Sequence, residues 1–247
     1  MYAMKLIDLI IHNNSTHYEQ GDFANGFNRN KIYEKAKIAQ LSSNNFEEYK
    51  LNLKNFLIST LDWGNFNLVV GRYHKITSNE IINRIENFDD YAKIFLKTFT
   101  SGKSPEEIFS TFENRGELKI KLVGYAYFTK FIHFYSHELS QQLLIMDKWS
   151  VLTWAALLIE SYGDVKENQI KKINSLVYIN KYKKIANKKM TADKYKQFNA
   201  FILNLSKNAN MAPDRFEEVM FGWSIDETRD LYQNPRLKTM KIIKNYF

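Results

Sequence analysis

Cysteine is absent from all 247 residues, which excludes disulfides and thiolate metal sites. Proline is scarce, with only Pro105, Pro213 and Pro235, and glycine occurs nine times. That is too few turn-formers for an all-β fold. No apolar run approaches the roughly 18 residues that would span a bilayer. The stretch Met1 to His12 carries Lys5 and Asp8 and has no small-residue cleavage pattern, so it does not read as a signal peptide. The expectation is a soluble, cytoplasmic protein without a membrane partner. Its length suffices for a sizeable core, either in one domain or in two small ones packed together.

Acidic residues are in deficit, 27 against 35 Lys and Arg, for a net charge of +8. The imbalance is local. From Lys166 to Lys207 there are eleven lysines against Glu167 and Asp193 alone, a net of +9 that leaves the rest of the chain at −1. A basic segment of this kind attracts a polyanion by releasing condensed counterions, so nucleic acid is the leading partner. The competing explanation is a solvated, lysine-rich helical face.

What the chain does contain is helical periodicity. Asn28 to Gln40 and Asn45 to Leu61 place apolar residues three and four apart, as in Phe46, Tyr49, Leu53, Phe56 and Leu57. Ser78 is expected to cap a helix through Ile81, Ile82 and Ile85 without a full capping box. Asp89 or Asp90 should start the next, with Tyr91, Ile94, Phe95 and Phe99 on one face. Ser104-Pro105-Glu106-Glu107 is a helix start, and that helix should stop near Gly116. Further helices are expected from Gly124 to about Tyr135, from Asp147 to about Tyr162 with Gly163 closing it, and over Thr191 to Lys207, Pro213 to Gly222 and Pro235 to Tyr246. Met4 to Ile11 is ambiguous between strand and helix, and Asn14 to Asn30 reads as a loop. No repeat of fixed period and no low-complexity linker interrupts the chain.

The most informative stretch is Leu122-Val123-Gly124-Tyr125-Ala126-Tyr127-Phe128-Thr129-Lys130, followed by Leu144-Ile145-Met146-Asp147-Lys148-Trp149. A Gly-aromatic-Thr-Lys helix ahead of an apolar run ending in Asp resembles the helix-hairpin-helix DNA glycosylases, most closely the bacterial 8-oxoguanine DNA glycosylase-like family. Ala212 to Phe221 is similar to that family's C-terminal helix. The resemblance implies a mostly α, two-lobed fold with a DNA-binding cleft between lobes. In that scheme residues 60–145, with a hairpin-like motif at 118–136, form a central helical lobe, and residues 1–59 with 146–247 form the second, the whole being a single compact unit. It also implies a monomer that binds double-stranded DNA, flips out a damaged or modified base and cleaves its N-glycosidic bond, with no cofactor. The lack of cysteine excludes the iron-sulfur glycosylases, whose cluster needs four thiolates.

Base extrusion requires the backbone to be held still. A turn feeding a helix N-terminus suits this, because its N-H groups and dipole favour phosphate. Gly124 is the side-chain-free position. The usual Gly-hydrophobic-Gly hairpin has Leu122 at its first position here, and Leu resists the left-handed backbone angle, so a distorted hairpin is expected and a cation held by its carbonyls is not assured. Lys119 and Lys121 are candidate compensating phosphate contacts, with Gly124, Tyr125, Thr129 and Lys148 as further DNA-binding candidates.

An amine that attacks the sugar gives lyase activity as well. The position two residues after the second Gly, where better-known 8-oxoguanine enzymes carry that Lys, is Ala126. Lys130 lies one helical turn further on the same face and is the candidate nucleophile; otherwise it is a phosphate-contacting or solvated Lys. Asp147, at the end of a buried extended segment and the start of a helix, is the candidate carboxylate for stabilising the sugar's developing positive charge. An ordinary N-cap is the competing reading, and the two are compatible.

Trp149, Phe134 and His133 are candidates for the base pocket, and Trp63 and Asn65 for a strand wedge or a reader of the orphaned partner base. Most aromatics at helical spacing are core residues. His133 and His137 lie four apart without a third ligand, so no metal is expected. Rival functions are a non-catalytic DNA-binding protein on the same scaffold, a helical module that meets an acidic protein, and an anti-phage glycosylase acting on hypermodified bases.

Overall fold

The computed structural model describes residues 5–15, 29–64, 68–70, 74–137, 139, 142–177, 179, 190–221 and 234–247. Among these the chain forms twelve α-helices and one two-stranded antiparallel sheet, so the mostly α expectation holds. It divides into two compact units, one of residues Tyr18–Leu143 and one of Met1–His17 with Leu144–Phe247.

The central unit contains α2 (Arg29–Leu41), α3 (Phe46–Trp63), strands β1 (Leu68–Val70) and β2 (His74–Ile76), α4 (Ser78–Asn83), α5 (Phe88–Thr100), α6 (Pro105–Phe112) and α7 (Tyr125–Ser136). The strands pair Leu68 with Ile76 and Val70 with His74, an element absent from the sequence expectation. Residues 18–59 belong to this unit, whereas the sequence reading grouped them with the chain ends. The reason is α3, whose Phe56 packs against Phe131 and Tyr135 of α7.

Helix α7 is the axis of the unit. Every residue from Phe128 to Ser136 is buried, so it is enclosed on all sides rather than amphipathic. Tyr135 meets Phe95 and Phe99 of α5 with ring centroids 4.8 Å away in each case, and Phe128 meets Phe109 of α6 at 4.8 Å. Edge-to-face and tilted geometries of this kind suit the ring quadrupole.

Local signals set most boundaries. Ser104 and Glu107 form a full capping box with Pro105 at N1. α4 is capped by Thr77, one residue before the Ser78 that the sequence predicts, and the box of Thr77 with Glu80 is complete where none is expected. α5 is capped by Asn87 rather than by either aspartate, and both aspartates occupy the first turn, where the dipole favours them. α6 stops at Phe112, before Gly116. A β-carbon at Gly116 would come within 2.3 Å of the Thr111 carbonyl oxygen, so that glycine permits backbone contact with the helix end instead of ending the helix.

The terminal unit contains α1 (Leu6–His12), α8 (Lys148–Tyr162), α9 (Glu167–Val177), α10 (Ala192–Asn208), α11 (Pro213–Phe221) and α12 (Pro235–Tyr246). α8 is its core helix, buried at every position from Ser150 to Leu157. The ambiguous first segment is helical: Leu6, Leu9 and Ile10 are buried at helical spacing, and the Leu6 N-H donates to the Glu160 carboxylate at 2.6 Å. α9 escaped the sequence reading, its polar surface having been counted only as charge. Of the lysine-rich segment, residues 178 and 180–189 lie outside the described residues.

Candidate functional site

Asp147 is the N-cap of α8. Its Oδ1 accepts from the N-H groups of Trp149 at 2.8 Å and Ser150 at 3.1 Å. The Ser150 hydroxyl returns the favour by accepting from the Asp147 N-H at 2.7 Å, so a serine takes the place usually held by Glu in a capping box. The carboxylate is half-buried and cannot swing without breaking the cap.

Its approach is equally constrained. Leu144, Ile145 and Met146 are fully buried and belong to no strand, yet their backbone polar groups need partners. α10 supplies them for Leu144: its N-H donates to Asn199 Oδ1 at 2.8 Å and its carbonyl accepts from the Tyr195 hydroxyl at 2.9 Å. Tyr195 and Asn199 are one turn apart, so one helix face acts as a surrogate strand. Sequence reasoning missed both. The available signal was a buried-length apolar run with no neighbouring strand to bond it.

Around Asp147, Lys148 is exposed and Trp149 half-buried. The Trp149 ring carries two cations, Lys148 Nζ at 5.0 Å from its centroid and the Arg236 guanidinium carbon at 4.4 Å. Arg236 was not anticipated. It sits in the first turn of α12, which Asn234 caps by accepting from the Arg236 N-H at 3.0 Å.

The hairpin-like motif lies in the central unit. Leu118, Ile120 and Val123 point inward and are buried, while Lys121 and Leu122 are exposed. Leu122 takes the left-handed angle, φ 73°, that a leucine was expected to resist, at a typical cost of about 1–2 kcal/mol. Part of the compensation is Lys119, whose Nζ donates to the Val123 carbonyl at 2.9 Å. Its amine thus closes the turn instead of meeting phosphate, and burial pushes its pKa down, against the opposing pull of Glu113. Gly124 is the N-cap of α7 and brings no side chain to cap it.

Two other DNA-contact expectations are corrected by burial. Tyr125 and Thr129 are enclosed, and the Thr129 hydroxyl donates to the Tyr125 carbonyl at 2.7 Å. Lys121, Gly124 and Lys148 retain surface.

His133 and Phe134, expected at a base pocket, are structural. His133 is fully buried. Its Nδ1 lies 2.8 Å from the Leu143 carbonyl, and its Nε2 lies 2.7 Å from Arg29 Nη2 and 2.8 Å from the Tyr33 hydroxyl. A carbonyl only accepts and a guanidinium only donates, so the ring is neutral with its proton on Nδ1. Burial first, and Arg29 second, hold its pKa well below the ordinary value. Phe134 packs edge-on to Tyr33 at 4.9 Å and to Trp63 at 5.0 Å.

Lys130 is 7 % exposed. Its Nζ lies 4.9 Å from the centroid of Trp63, so Trp63, expected as a wedge, faces the candidate amine. Asn65 lies outside the described residues. Among the described residues no group of three or more His, Asp or Glu gathers as a metal site, and no helix is long and apolar enough to cross a membrane.

The structure therefore places Lys130 with Trp63 in the central unit, and Asp147 with Lys148, Trp149 and Arg236 in the terminal unit. Residues 29–221 match the family model described as "Putative 8-oxoguanine DNA glycosylase OGG-like protein". No curated protein and no solved structure matches the chain.

Proposed function

The chain belongs to the 8-oxoguanine DNA glycosylase OGG-like family, and from that premise we propose that it is a DNA glycosylase acting on a base extruded from duplex DNA. The observation that carries this reading is Asp147. It is a carboxylate immobilised at a helix start and still half-exposed, preceded by a buried segment whose bonding serves to hold it in place. A carboxylate held this way needs no reorganisation when positive charge develops on the sugar.

Lys130 is the candidate amine. In the base-displacement step its nitrogen lone pair forms a bond to C1′ as the C1′–N bond breaks, the bonding pair leaves with the base, and the proton shed by the amine passes to the departing base. The C1′–O4′ bond then breaks, O4′ taking a proton from solvent, to give the protonated imine; in the lyase step proper, loss of a C2′ proton expels the 3′ phosphate, and water hydrolyses the imine to free the amine. Lys121, Lys148 and Arg236, together with the lysine-rich segment, are candidate phosphate contacts, so affinity for duplex DNA should fall steeply as salt rises.

The test is single-turnover excision from a panel of duplexes carrying 8-oxoguanine, other oxidised or alkylated bases, and hypermodified bases. The expected result is release of one class of base by the wild type and its loss in Asp147→Asn with binding retained. An Asp147→Asn protein as fast as wild type removes the catalytic assignment and leaves a DNA-binding protein on this scaffold.

A further inference from the structure

Lys130 brings a charge into a helix that is buried along its whole second half, and the end of α3 is shaped to receive it. Three features converge there. The Trp63 ring lies 4.9 Å from Nζ, within the range of an attractive cation–ring contact. Gly64 follows as the C-cap, and a β-carbon there would come within 3.2 Å of both Cδ and Cε of Lys130. The C-terminal end of α3 carries the partial negative charge of its last carbonyls, yet no basic residue of its own lies in that last turn. Lys130, from α7, lays its stem against that end. The ring is fixed in turn by Phe134, one turn beyond Lys130, which meets it edge-on at 5.0 Å with an interplanar angle of 89°.

We propose that Trp63 and Gly64 are positioning residues for the Lys130 amine: the ring face holds the ammonium, and the missing β-carbon lets the lysine stem lie against the end of α3. This rests on the assignment of Lys130 as the amine that attacks the sugar. It turns Trp63 from a residue that touches DNA into one that acts through the lysine.

The experiment has two arms. In the first, a duplex with an abasic site is trapped on the enzyme with borohydride, which needs no knowledge of the base excised. In Trp63→Leu the trapping rate should fall about tenfold, as expected for a mispositioned group. Trp63→Phe, which keeps an aromatic face, should restore most of it. Gly64→Ala, which displaces the stem without removing the ring, should slow trapping several-fold with an unchanged melting temperature. It decides the question if the leucine variant does not fold.

In the second arm the lysines are reductively methylated with 13C-formaldehyde, and the Lys130 signal is assigned by its loss in Lys130→Arg. That signal should sit upfield of the exposed lysines in the wild type and return to them in Trp63→Leu. A wild-type signal among the exposed lysines overturns the proposal. So does a Trp63→Leu trapping rate equal to that of the wild type. A ring-shifted signal with no trapped adduct in the wild type supports the cradle and removes only the assignment of Lys130 as nucleophile.

Discussion

The two candidate reactive groups are held by opposite means. Asp147 is fixed by its own neighbours, two N-H groups and a hydroxyl within three residues. Lys130 is fixed by residues far away in sequence, Trp63 and Gly64, on another helix. A locally held group can be altered chemically with little effect on the fold, because an isosteric residue keeps the cap. A group held by tertiary packing cannot, since its neighbours were shaped around it.

The largest effect should come from separating charge and cap at Asp147. Asp147→Asn keeps an oxygen that can accept both N-H bonds, so the excision rate should fall by roughly 10²–10⁴ while thermal melting barely moves. A large drop in melting temperature would show that the carboxylate's charge, and not only its cap, supports the fold. Asp147→Ala removes both and should add a stability loss of about 1 kcal/mol, measurable by denaturant titration.

On α7 the effects should fall on stability instead. His133→Leu takes the Nδ1 donor from the buried Leu143 carbonyl and the Nε2 acceptor from Arg29 and Tyr33, at about 3 kcal/mol. His133 also predicts a pH dependence. It is neutral when folded, with its pKa well below 6.5, whereas in the unfolded chain it takes up a proton below about 6.5. The unfolded state therefore binds more protons at acid pH, and stability should decline as pH falls below about 6.5, by up to ~1.4 kcal/mol per unit. Denaturant midpoints at several pH values check this, and the slope should flatten in His133→Leu.

The smallest effects belong to the hairpin. Lys119→Met removes the bond to the Val123 carbonyl and should cost about 1 kcal/mol. Leu122→Gly relieves the left-handed leucine and should return up to about 1 kcal/mol. If Leu122→Gly instead destabilises, the 43 % exposed side chain contributes packing that outweighs its backbone strain.

Much of this molecule is legible in its sequence. Caps and apolar spacing located most helices within a residue or two, since both signals act within one turn of backbone. Ser104-Pro105, Thr191, Pro213 and Asp147 mark starts that the structure keeps. Misreadings came where two neighbours compete for one role, as with Thr77 against Ser78 and Asn87 against Asp89 and Asp90. Side-chain direction on α7 was not legible. Motif position points Tyr125, Thr129, His133 and Phe134 at DNA but says nothing of burial, and a helix enclosed on every side shows no polar stripe to orient it.

By itself the sequence determined that the protein is helical, where α8 begins and which carboxylate caps it, because a cap is written in four consecutive residues. Only the tertiary structure decided that Trp63 faces Lys130, that Tyr195 and Asn199 bond the segment leading to Asp147, and that His133 is a neutral buried strut. Those pairings join residues tens of positions apart, and which helix faces meet is settled by packing the whole core at once rather than by any local preference.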